Sequence, residues 1–461
     1  MTNTASVAAV ILAAGKGTRM KSTQAKALFP LCGEPLAYYP IRAARDAGIS
    51  RIVLVVGHQA DAVREVIGDT VDYALQTEQK GTGHALMAAR EALQGFVGTV
   101  FVNCVDVPLM PAALISAMLH AHHASGHAAT LLTARLDDPA MYGRIVRNKK
   151  TDTVERIVEF RDASAEQRAL HEINSGTYCF QAPLIFQILD EITPDNDQGE
   201  YYLTDVVERL IAHGEQVGAV VAPEESMVAG INDRAQLAEA EVRLRHAIRH
   251  RHMLNGVTLV DPATTFIDGD VEIGSDTVIG PFTMIHAGTR IGQHCIVGPY
   301  SQLFAAILED GAEVDSSRIE KSIIRSGAKV GPFSRLRAGC DIAPGAEVGN
   351  FSEMKNTKVG PRSKVHHLGY LGDTTLGEAV NIGAGTITCN YDGKKKHPTR
   401  LGDNVFIGSG NLLVAPVTVG DNALTGAGSV VTHDVPAGKV AYGVPARVIR
   451  DRETPKDPNT A

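Results

Sequence analysis

The stretch VEIGSDTVIGPFTMIHAGTRIGQHCIVG, residues 271–298, carries an aliphatic residue at every sixth position, and most of these residues are followed by glycine. The same spacing returns twice further along the chain. The aliphatic positions are Ile273, Ile279, Ile285, Ile291, Val297 and Leu303, then Ile324, Val330, Leu336, Ile342 and Val348, then Leu401, Ile407, Leu413 and Val419. A six-residue repeat sustained this long predicts a parallel β-helix, in which each repeat forms one flat side of a coil and points its aliphatic side chain inward.

The repeat is interrupted at GTITCNYDGKKKHPTR, residues 385–400, which predicts a loop that projects from the rigid coil toward a ligand or a partner. The loop contains Asn390, Tyr391 and the three consecutive lysines 394–396. Cations and a candidate base occur in nearby repeats, together with other polar residues: Arg335, Arg337, Glu353, Lys355, His366, His367, Tyr370 and Asn381. A lone histidine is most often structural or at the surface, which is the interpretation favoured for His366.

The first half of the chain, from Val7 to about Val228, has a different pattern, in which short apolar runs alternate with amphipathic stretches. The runs AAVILA, RIVLVV and TVFVNC predict strands and the stretches between them predict helices, so a largely parallel sheet covered by helices is expected. In such sheets ligands bind at the carboxyl ends of the strands, where LAAGKGTRM, residues 12–20, and CVDVPLM, residues 104–110, both fall.

The loop LAAGKGTRM has the composition of a phosphate-binding segment, because Gly15 and Gly17 expose backbone N–H groups beside the cations Lys16 and Arg19. It fits neither the Walker pattern nor the dinucleotide pattern G-x-G-x-x-G. A glycine-rich turn with solvated cations is the alternative interpretation. Asp106, directly after an apolar run, is suited to bind a divalent metal that bridges phosphates, or else to cap a helix.

Between the two halves, the sequence NDRAQLAEAEVRLRHAIRHRHMLNG carries apolar residues at helical spacing without proline or internal glycine, which predicts a helix. Its acidic residues come early and its basic residues late, as the helix macrodipole favours. A connecting arm and an ordinary packed helix fit this pattern equally well. The predicted domains are residues 1–234 and residues 256–461, joined by a linker helix over residues 235–255.

The 461-residue chain has a formal net charge of −8, which argues against a nucleic-acid partner. Its six cysteines show no C-x-x-C spacing, so neither a zinc site nor a redox pair is expected, and reduced thiols in a cytoplasm are the simpler interpretation. No apolar stretch approaches the roughly 20 residues that span a bilayer, and the N-terminal apolar run does not have the form of a signal peptide. A soluble cytoplasmic protein is therefore expected.

Ordered motifs along most of the chain resemble those of a known enzyme family. The first motifs are similar to those of the sugar-1-phosphate nucleotidylyltransferases: LAAGKGTRM, QAKALFPL, QTEQKGTGHA, DVPL, MYGRI, VEFRDA, EINSGTY, QGEYYLTD and GINDR. With EMKNTKVGPRSKVHHLGYLGD and NIGAGTITCNYDG, they resemble the bifunctional N-acetylglucosamine-1-phosphate uridylyltransferase/glucosamine-1-phosphate acetyltransferase family. The fold implied is an α/β Rossmann-like nucleotidyltransferase domain, a linker helix and a left-handed parallel β-helix of hexapeptide repeats.

The resemblance implies a first site that transfers a uridylyl group from UTP to N-acetylglucosamine 1-phosphate. Arg19 and Lys26 would act in catalysis by neutralising phosphates, and Asp106 and Asn232 would bind Mg²⁺. The residues implied to hold the uridine nucleotide are Leu12, Ala13, Ala14, Gly15, Gln76, Gly81 and Thr82. The residues implied to hold the sugar are Gly143, Glu159 and Asn174. The sequence departs from the family pattern at Ala25 and Val105, where proline and a small residue are usual.

The resemblance also implies a second site, at which acetyl-CoA acetylates glucosamine 1-phosphate with His367 as general base. A sugar ammonium must lose a proton before its nitrogen attacks a thioester, and an imidazole is suited to take that proton. The residues implied to hold the sugar phosphate are Arg337, Lys355, Tyr370 and Asn381. Those implied to contact acetyl-CoA are Ala384, Asn390, Tyr391, Ser409 and Ala427, and Arg447 is a further candidate for its phosphates, although no motif contains it.

The resemblance further implies a homotrimer through the β-helix, with each acetyltransferase site at a subunit boundary. The chain would then be a bifunctional enzyme that acetylates glucosamine 1-phosphate and uridylylates the product to UDP-N-acetylglucosamine. One alternative is a single-function nucleotidylyltransferase whose β-helix only assembles or regulates subunits, which the cluster of His367, Tyr370, Asn390 and Tyr391 disfavours. The other is a non-enzymatic trimeric scaffold with a nucleotide sensor, which the full set of phosphate and metal residues disfavours.

Overall fold

The computed structural model describes residues 6–452, so the ends of the two predicted domains, residues 1–5 and 453–461, lie outside the described residues. The chain divides into two compact units, with the boundary between Leu244 and Arg245. The first unit contains one mixed sheet with helices, and the second contains three long sheets of very short strands.

The first unit is built on a mixed sheet of nine strands. Numbered along the chain, they are β1 (Val7–Leu12), β2 (Arg51–Val56), β3 (Asp72–Leu75), β4 (Gly98–Cys104), β5 (Ala129–Arg135), β6 (Arg144–Arg147), β7 (Val154–Val158), β8 (Glu172–Ala182) and β9 (Val217–Val221). The main path has the order β9-β5-β8-β4-β1-β2-β3, and β6 pairs with both β8 and β7. A separate hairpin joins Pro30–Leu31 to Glu34–Pro35.

The sheet is parallel only in part. Strand β1 lies between β4 and β2 and is parallel to both, and β3 is parallel to β2. Strand β8 instead runs antiparallel to β4 and β5, and β9 is parallel to β5. The sequence indicated the parallel half but not β8, because the residues of β8, EINSGTYCFQA, are largely polar and do not form an apolar run.

Helices cover both faces of this sheet, which explains why its central strand is apolar at every position. Along β1, Ala8, Val10 and Leu12 join one buried core, whereas Ala9 and Ile11 join the other. The helices are α1 (Tyr38–Asp46), α2 (Ala60–Ile67), α3 (Thr82–Ala88), α4 (Ala112–Ser125), α5 (Ala165–Arg168), α6 (Leu184–Ile188), α7 (Asp205–Ala212) and α8 (Arg234–Leu254). Short 3-10 helices span Thr18–Met20, Lys26–Leu28, Gly68–Thr70, Glu91–Leu93 and Glu225–Met227, with Pro262–Thr264 in the second unit.

The second unit is a left-handed parallel β-helix with three flat faces. The twelve-stranded face contains Thr258–Leu259, Val278–Ile279, Ile296–Val297, Glu313–Val314, Lys329–Val330, Glu347–Asn350, Lys364–His367, Asn381–Ile382, Phe406–Ile407, Leu424–Thr425, Lys439–Gly443 and Ala446–Asp451. The ten-stranded face contains Phe266–Ile267, Met284–Ile285, Gln302–Phe304, Arg318–Glu320, Arg335–Arg337, Glu353–Lys355, Tyr370–Gly372, Ile387–Cys389, Leu412–Val414 and Val430–Val431. The nine-stranded face contains Glu272–Ile273, Arg290–Ile291, Ile307–Leu308, Ile323–Ile324, Asp341–Ile342, Lys358–Val359, Thr374–Leu376, Thr399–Leu401 and Val417–Val419.

The aliphatic residues of the repeat form the interior of the coil, as the sequence predicted. Ile279, Leu336 and Ile407, taken from the three separate runs of the repeat, are all fully buried. Along each face, every strand pairs in parallel with a strand of the next coil, as Met284 does with Gln302. The last two strands of the twelve-stranded face are the exception, because they form an antiparallel hairpin.

The coil is continuous even where the six-residue spacing is lost in the sequence. Between Leu303 and Ile324, the interior is filled by Leu308, Val314 and Ile319, which are all buried. Some of these positions follow the previous aliphatic residue after five positions rather than six. Because the turn between these strands is one residue shorter, a search for a fixed six-residue period does not detect these coils.

The projecting loop leaves the register of the coil unchanged. The predicted bounds, residues 385–400, were too wide, because Ile387–Cys389 and Thr399–Leu401 are strands of the coil and only residues 390–398 lie between them. Thr374 pairs in parallel with Thr399 on the far side of this loop, and Leu376 pairs with Leu401 in the same way. Because the ladder closes across the insertion, the extra residues lie outside the regular coil.

Helix α8 begins at Arg234, one position before the predicted start, and ends at Leu254. In the first unit, Ala240 and Leu244 pack with Leu31 and Leu36 in a small buried cluster. The first half of this helix is therefore an ordinary packed helix and not a free arm. Within residues 6–452, no helix combines the length and the apolar character that crossing a bilayer requires.

Candidate active sites

The predicted phosphate loop follows directly on β1 and turns sharply at Gly17. This residue has a φ of +60°, and a Cβ at its position would lie 3.0 Å from the Cβ of Lys26. Glycine therefore supplies both the left-handed backbone and the room for the lysine side chain. At Gly15, by contrast, a Cβ would meet nothing within 4 Å. The backbone on that side of the loop is open to a ligand.

Four polar side chains from separate parts of the chain converge beside this loop. Lys26 forms an ion pair with Asp106, and its Nζ lies 3.4 Å from Oδ1 of Asn232. Arg19 donates from Nη2 to the same oxygen of Asn232 over 2.8 Å. A carboxylate and an amide oxygen thus face two cations, where the resemblance implies a metal ion and phosphates.

Backbone hydrogen bonds fix the distance between Asp106 and Asn232. The N–H of Ile231 donates to the carbonyl oxygen of Asp106 over 2.8 Å. The N–H of Asn232 donates to Oε1 of Gln236, in the first turn of α8, over 2.7 Å. Because Asp106 follows β4 and Asn232 precedes α8, the sheet and the helix together hold this pair.

Two cavities adjoin at the same place, with volumes of about 490 Å³ and about 360 Å³. The residues that line both are Leu12, Arg19, Thr82, Cys104, Asp106 and Asn232. The larger cavity is also lined by Ala14, Gly15, Lys26, Gln76 and Gly81. The smaller cavity is also lined by Gly143, Glu159 and Asn174. Leu12 and Thr82 line both cavities and Ala13 lines neither, but the other residues implied to hold nucleotide and sugar line different cavities. Those implied to hold the metal lie where the cavities meet.

Gln76 and Gly81 shape one wall of the larger cavity. Gln76 is buried, and its Nε2 donates to the carbonyl oxygen of Gly81 over 3.1 Å. Gly81 has a φ of +104°, and a Cβ there would lie 2.6 Å from the carbonyl oxygen of Tyr201, so only glycine fits. Thr82 accepts the N–H of Leu203 on Oγ1 over 3.1 Å, which ties the start of α3 to the segment before α7.

Glu159 is the acidic group of the smaller cavity. Burial raises its pKa, a hydrogen bond from Thr204 opposes this effect, and the nearby carboxylates of Asp162 and Asp205 add to it. A Cβ at Gly143 would lie 3.4 Å from both carboxylate oxygens of Glu159. A larger residue in place of Gly143 would therefore fill the part of the cavity next to the Glu159 carboxylate.

Ala13 and Asn174 differ from the other residues implied for the first site. Ala13 lines neither cavity, because it is buried in the sheet core and its N–H donates to the carbonyl oxygen of Val55 over 2.9 Å. Asn174 does line the smaller cavity, but its Nδ2 donates to the hydroxyl of Tyr178 over 2.7 Å. This contact orients the Asn174 amide within the cavity wall.

The sequence did not single out Arg144 and Tyr142, which hold the loop beside the smaller cavity. Arg144 is fully buried and donates to the carbonyl oxygens of Tyr142 and Ala140. The hydroxyl of Tyr142 in turn accepts the N–H of Gly230 over 3.2 Å, which ties this loop to the segment before Asn232. Both residues belong to the motif MYGRI, so the signal was present without an assigned contact.

In the second unit, the cations implied to bind a sugar phosphate lie side by side on the ten-stranded face. Arg337 pairs with Lys355 in the next coil, and Glu353 pairs with Tyr370 in the coil after that. The ammonium of Lys396, from the projecting loop, and the guanidinium of Arg337 lower the pKa of Lys355. Positive charges held this close together favour a bound anion.

The adjacent histidines 366 and 367 have opposite environments. Nε2 of His366 lies 2.8 Å from a carboxylate oxygen of Glu347, so this ring has a structural partner, as expected. His367 is exposed, and within residues 6–452 its ring makes no hydrogen bond to protein. Asn381 pairs with Lys364, in the strand that carries His367. The imidazole of His367 is therefore the one available for a proton transfer.

The projecting loop is ordered around Asp392. Its Oδ1 accepts the backbone N–H groups of Lys394 and Lys395, each over 2.8 Å, and its Oδ2 lies 2.6 Å from Nε2 of His397. The His397 contact, followed by these backbone N–H groups, lowers the pKa of Asp392 to about 2. The loop is thus a defined structure that presents Tyr391, whose side chain is 61% exposed.

Ala384, Ser409 and Ala427 lie at equivalent turns of three successive coils. The carbonyl oxygen of Ala384 accepts the N–H of Gly410 over 2.7 Å, and that of Ser409 accepts the N–H of Gly428 over 2.8 Å. These turns form one corner of the coil, between the twelve-stranded and ten-stranded faces. Only small side chains project there, so a long ligand can lie close to the backbone.

Arg447 lies near one end of this corner. It pairs with Tyr442 in the terminal hairpin. A Cβ at Gly426, directly before Ala427, would lie 2.7 Å from the Cβ of Tyr442. The hairpin therefore packs closely on the last of these turns, which places a cation near it.

Two protein-family models match separate parts of the chain. The nucleotidyl transferase model matches residues 8–226. The bacterial transferase hexapeptide model, which comprises six repeats, matches residues 270–305 and 398–433. The first match falls on the α/β unit, and both segments of the second match fall on the β-helix.

Individual proteins match over almost the whole chain. The bifunctional protein GlmU of Acetivibrio thermocellus is 47% identical over 449 residues, which are 97% of this chain and 96% of the relative. Those of Pelotomaculum thermopropionicum and Shouchella clausii are 48% and 42% identical, over 89% and 97% of this chain and 90% and 99% of each relative. The chain belongs to the bifunctional GlmU family.

Membership of the GlmU family confirms the family, the fold class and the enzyme class expected from the sequence. The chain is a bifunctional uridylyltransferase and acetyltransferase of UDP-N-acetylglucosamine synthesis. The single-function and scaffold alternatives therefore do not apply.

Proposed function

We propose that the β-helix acetylates glucosamine 1-phosphate with acetyl-CoA, and that the α/β unit then transfers UMP from UTP to the product through the residues described above. The observation that carries the second step is the meeting of the two cavities at Asp106 and Asn232. A nucleoside triphosphate in the larger cavity and a sugar phosphate in the smaller one would have their phosphates at this junction.

Uridylyl transfer needs no nucleophile from the protein, because the phosphate oxygen of the sugar attacks the α-phosphorus in line and pyrophosphate leaves. What the protein supplies is positioning and neutralisation of charge. We assign this neutralisation to Arg19 and Lys26, because both cations are held at the cavity junction.

The residues around each cavity support the division between nucleotide and sugar. Leu12, Ala14, Gly15, Gln76, Gly81 and Thr82 line the larger cavity and are assigned to the uridine nucleotide. Ala13 keeps this assignment only through the backbone, because its side chain lies in the core. Gly143, Glu159 and Asn174 line the smaller cavity and are assigned to the sugar.

Mg²⁺ fits the oxygen atoms at the junction. Asp106 offers a carboxylate and Asn232 an amide oxygen, and both already face the cations Lys26 and Arg19. Within residues 6–452 no group of three or more His, Cys, Asp or Glu side chains is arranged to hold a metal. Mg²⁺ is commonly held by one or two protein ligands together with substrate phosphates, which agrees with this sparse set. When bound, it would offset the charge that develops on pyrophosphate.

Acetyl transfer is assigned to His367. The ammonium of glucosamine 1-phosphate must lose a proton before its nitrogen attacks the thioester carbon, and the thiolate of coenzyme A then leaves. The exposed imidazole of His367 is suited to accept that proton, because its ring nitrogens are not engaged by protein within residues 6–452. The cations of Arg337, Lys355 and Lys396 support a place for the sugar phosphate on the ten-stranded face. Tyr370 and Asn381 are assigned to the same substrate.

Acetyl-CoA is assigned to the corner formed by Ala384, Ser409 and Ala427, because the small side chains leave room for a long, thin ligand beside the backbone. Asn390 and Tyr391 would contact it from the projecting loop. A phosphate group of the same ligand is assigned to Arg447, and the packing of its partner Tyr442 close to Gly426 supports this assignment.

We further propose that three chains assemble through the β-helix and that the enzyme acts in the cytoplasm. Flat, rigid faces suit side-by-side assembly, and the projecting loop can reach a neighbouring chain. The six cysteines are all free thiols in the structure, which agrees with a reducing compartment.

Both activities can be measured on the intact chain. Acetyl transfer is followed by release of free coenzyme A from acetyl-CoA and glucosamine 1-phosphate. Uridylyl transfer is followed by pyrophosphate released from UTP and N-acetylglucosamine 1-phosphate, with and without Mg²⁺. We expect both, and we expect pyrophosphate release to require the metal. Uridylyl transfer that continues in excess chelator would contradict the metal assignment.

A further inference from the structure

Asp373 lies where the coil meets the projecting loop, and none of the roles assigned above uses it. It directly follows the strand Tyr370–Gly372, in a turn with a φ of +50°. Its N–H donates to the carbonyl oxygen of Lys355 over 3.0 Å, and its own carbonyl oxygen accepts the N–H of Thr399 over 3.2 Å. Because Thr399 begins the first strand after the loop, the backbone of Asp373 fixes the point where the loop returns to the coil.

The carboxylate of Asp373 holds two side-chain amides. Oδ1 accepts from Nδ2 of Asn356 over 2.8 Å, and Oδ2 accepts from Nδ2 of Asn390 over 2.6 Å. A carboxylate only accepts hydrogen bonds, so it can face the nitrogen of an amide but not its oxygen. The chemistry of the partner therefore decides which way the amide of Asn390 points.

Gly372 provides the room for this contact. A Cβ at Gly372 would lie 2.5 Å from the hydroxyl of Tyr370 and 2.6 Å from Nδ2 of Asn390. The absence of a side chain thus brings together a tyrosine assigned to the sugar phosphate and an amide assigned to acetyl-CoA. Asn390 is 6% exposed, and its N–H donates to the carbonyl oxygen of Thr388 over 3.0 Å. Both the main chain and the side chain of Asn390 are fixed.

We propose that Asp373 is a positioning residue for acetyl transfer, which orients Asn390 so that its amide oxygen, and not its NH₂ group, faces the acyl donor. Within residues 6–452 that oxygen receives no hydrogen bond from protein. It can accept an N–H group, and the pantetheine arm of acetyl-CoA carries amide N–H groups. This inference rests on the assignment of Asn390 to acetyl-CoA proposed above.

The first test replaces the carboxylate by an isosteric amide. Asp373→Asn can present either its oxygen or its nitrogen to Asn390, so the orientation is no longer determined. We expect the KM for acetyl-CoA to rise about 10- to 100-fold, the loss associated with one hydrogen bond to a charged group. The rate of uridylyl transfer should not change. The KM for glucosamine 1-phosphate should change much less than that for acetyl-CoA, because Asp373 reaches the sugar-phosphate residues only through its charge near Lys355. If Asp373 only stabilised the fold, its replacement would not raise the KM for acetyl-CoA more than the KM for glucosamine 1-phosphate.

A double-mutant comparison shows whether Asp373 acts through Asn390. Asn390→Ala should also raise the KM for acetyl-CoA, and adding Asp373→Asn to it should cause no further loss, because the contact is already absent. Asn356→Ala is the matched control, since it removes the other amide from the same carboxylate and should leave this KM nearly unchanged.

The outcomes separate the two proposals. If Asn390→Ala leaves acetyl transfer unchanged, the assignment of Asn390 to acetyl-CoA is wrong. If Asn390→Ala is impaired but Asp373→Asn is not, or if the two losses multiply in the double variant, the positioning role of Asp373 is overturned and the assignment of Asn390 stands.

A second variant tests the contact with Asp373 intact, in case Asp373→Asn does not fold. Asn390→Asp would place two carboxylates face to face, so that they share a proton and one of them titrates well above its ordinary range. The charged groups around this pair are Lys355 on the adjacent strand and, beside it, Arg337 and Lys396. The hydroxyl of Tyr370 also lies close to Asn390, whereas Asn356 is neutral. Relative to the unchanged protein, acetyl transfer by Asn390→Asp should recover as the pH falls from about 8 to about 6. Adding Asp373→Asn should abolish this recovery. If the rate of acetyl transfer by Asn390→Asp, divided by that of the unchanged protein, does not change with pH, the proposal is overturned.

Discussion

Arg19 donates a hydrogen bond from Nη2 to Oδ1 of Asn232 over 2.8 Å, although 213 positions separate the two residues in the chain. The contact joins the phosphate loop after β1 to the segment before α8. It also occupies an oxygen atom assigned to Mg²⁺, so the cation and the metal compete for one ligand. In the proposed site, Asn232 would hold the metal through this oxygen, and Arg19 would then be available to donate its hydrogen bond to a phosphate.

Removal of the Asp106 carboxylate should abolish one activity and spare the other. We expect Asp106→Ala to lower uridylyl transfer at least about 100-fold, because a metal ligand contributes several kcal/mol of charge stabilisation. Acetyl transfer, assayed on the same preparation, should remain near normal. Asp61→Ala is the control, because the side chain of Asp61 is fully exposed in the same unit. A comparable loss of both activities in Asp106→Ala would mean that the two sites are not independent.

The adjacent histidines provide a matched pair for the second site. His367→Ala should lower acetyl transfer by about 10²- to 10⁴-fold, the usual contribution of a general base. His366→Ala removes a ring that is engaged with Glu347 and should have a much smaller effect. Initial rates at neutral pH, with uridylyl transfer as the internal standard, distinguish the two. Full acetyl transfer by His367→Ala would remove this residue from the mechanism.

Asp205, in the first turn of α7, should make the protein less stable as the pH rises. Burial, followed by the carboxylates of Glu208 and Asp162, raises its pKa to about 6, above the ordinary value of 3.8. Between these two values the folded state holds a proton that the unfolded state has released, so the free energy of unfolding falls with increasing pH. Asp205→Asn removes the buried charge.

We therefore expect Asp205→Asn to raise the melting temperature of the first unit at about pH 7.5 and to change it little at about pH 4. Thermal unfolding of variant and parent, compared at several pH values, measures this difference. Asp61→Asn, the same substitution at an exposed carboxylate of the same unit, is the control. A difference between Asp205→Asn and the parent that does not change with pH would contradict the prediction.

A large side chain at the corner assigned to acetyl-CoA should obstruct that substrate alone. We expect Ala427→Leu to raise the KM for acetyl-CoA more than about tenfold, since the loss of one or two kcal/mol of contact is a factor of this size. The KM for glucosamine 1-phosphate should stay within a small factor. Ala437→Leu is the control, because Ala437 is also an exposed turn alanine but precedes the terminal hairpin, at another corner. Equal effects of the two variants would show that bulk at any turn disturbs the coil.

Assembly can be tested by mass and by complementation. We expect sedimentation to give three times the mass of the chain. Mixed trimers of His367→Ala and Asn390→Ala chains should recover part of the acetyl transfer if the two residues serve one site from different chains. A fully active monomer would contradict the shared site. Failed complementation within a confirmed trimer would place both residues of a site on the same chain.

Long-range periodicity was the part of this molecule most readable from sequence. The buried positions of the coil followed directly from the six-residue spacing. The projecting loop was also visible as an interruption, although its predicted bounds, residues 385–400, included residues of two regular strands, Ile387–Cys389 and Thr399–Leu401. The coils around Leu308, Val314 and Ile319 were missed, because parallel pairing tolerates a shortened turn that a fixed period does not. Strand β8 and its reversed direction were missed because its sequence, EINSGTYCFQA, is largely polar and gives no apolar run.

For the two sites, the sequence predicted which residues take part but not the contacts between them. Motifs indicated that Lys26, Asp106 and Asn232 belong together, but not that Arg19 and Lys26 meet the same oxygen of Asn232. Contacts such as that of Asp373 with Asn390 depend on which coils lie side by side. No local pattern encodes them, because a carboxylate after a glycine is ordinarily just a turn residue.

Because Thr374 pairs with Thr399 across the projecting loop, the sequence of the loop and the strand pairing of the coil can change independently, although loop and core are usually linked in a protein. The residues of the loop can be lengthened, shortened or exchanged while the ladder on either side keeps the same partners. Evolution can therefore alter ligand preference by insertion and deletion here, without the repacking that such changes require inside a conventional core. For protein engineering, the same position is a natural graft point, where foreign peptide segments can be displayed on a scaffold whose own folding does not depend on them.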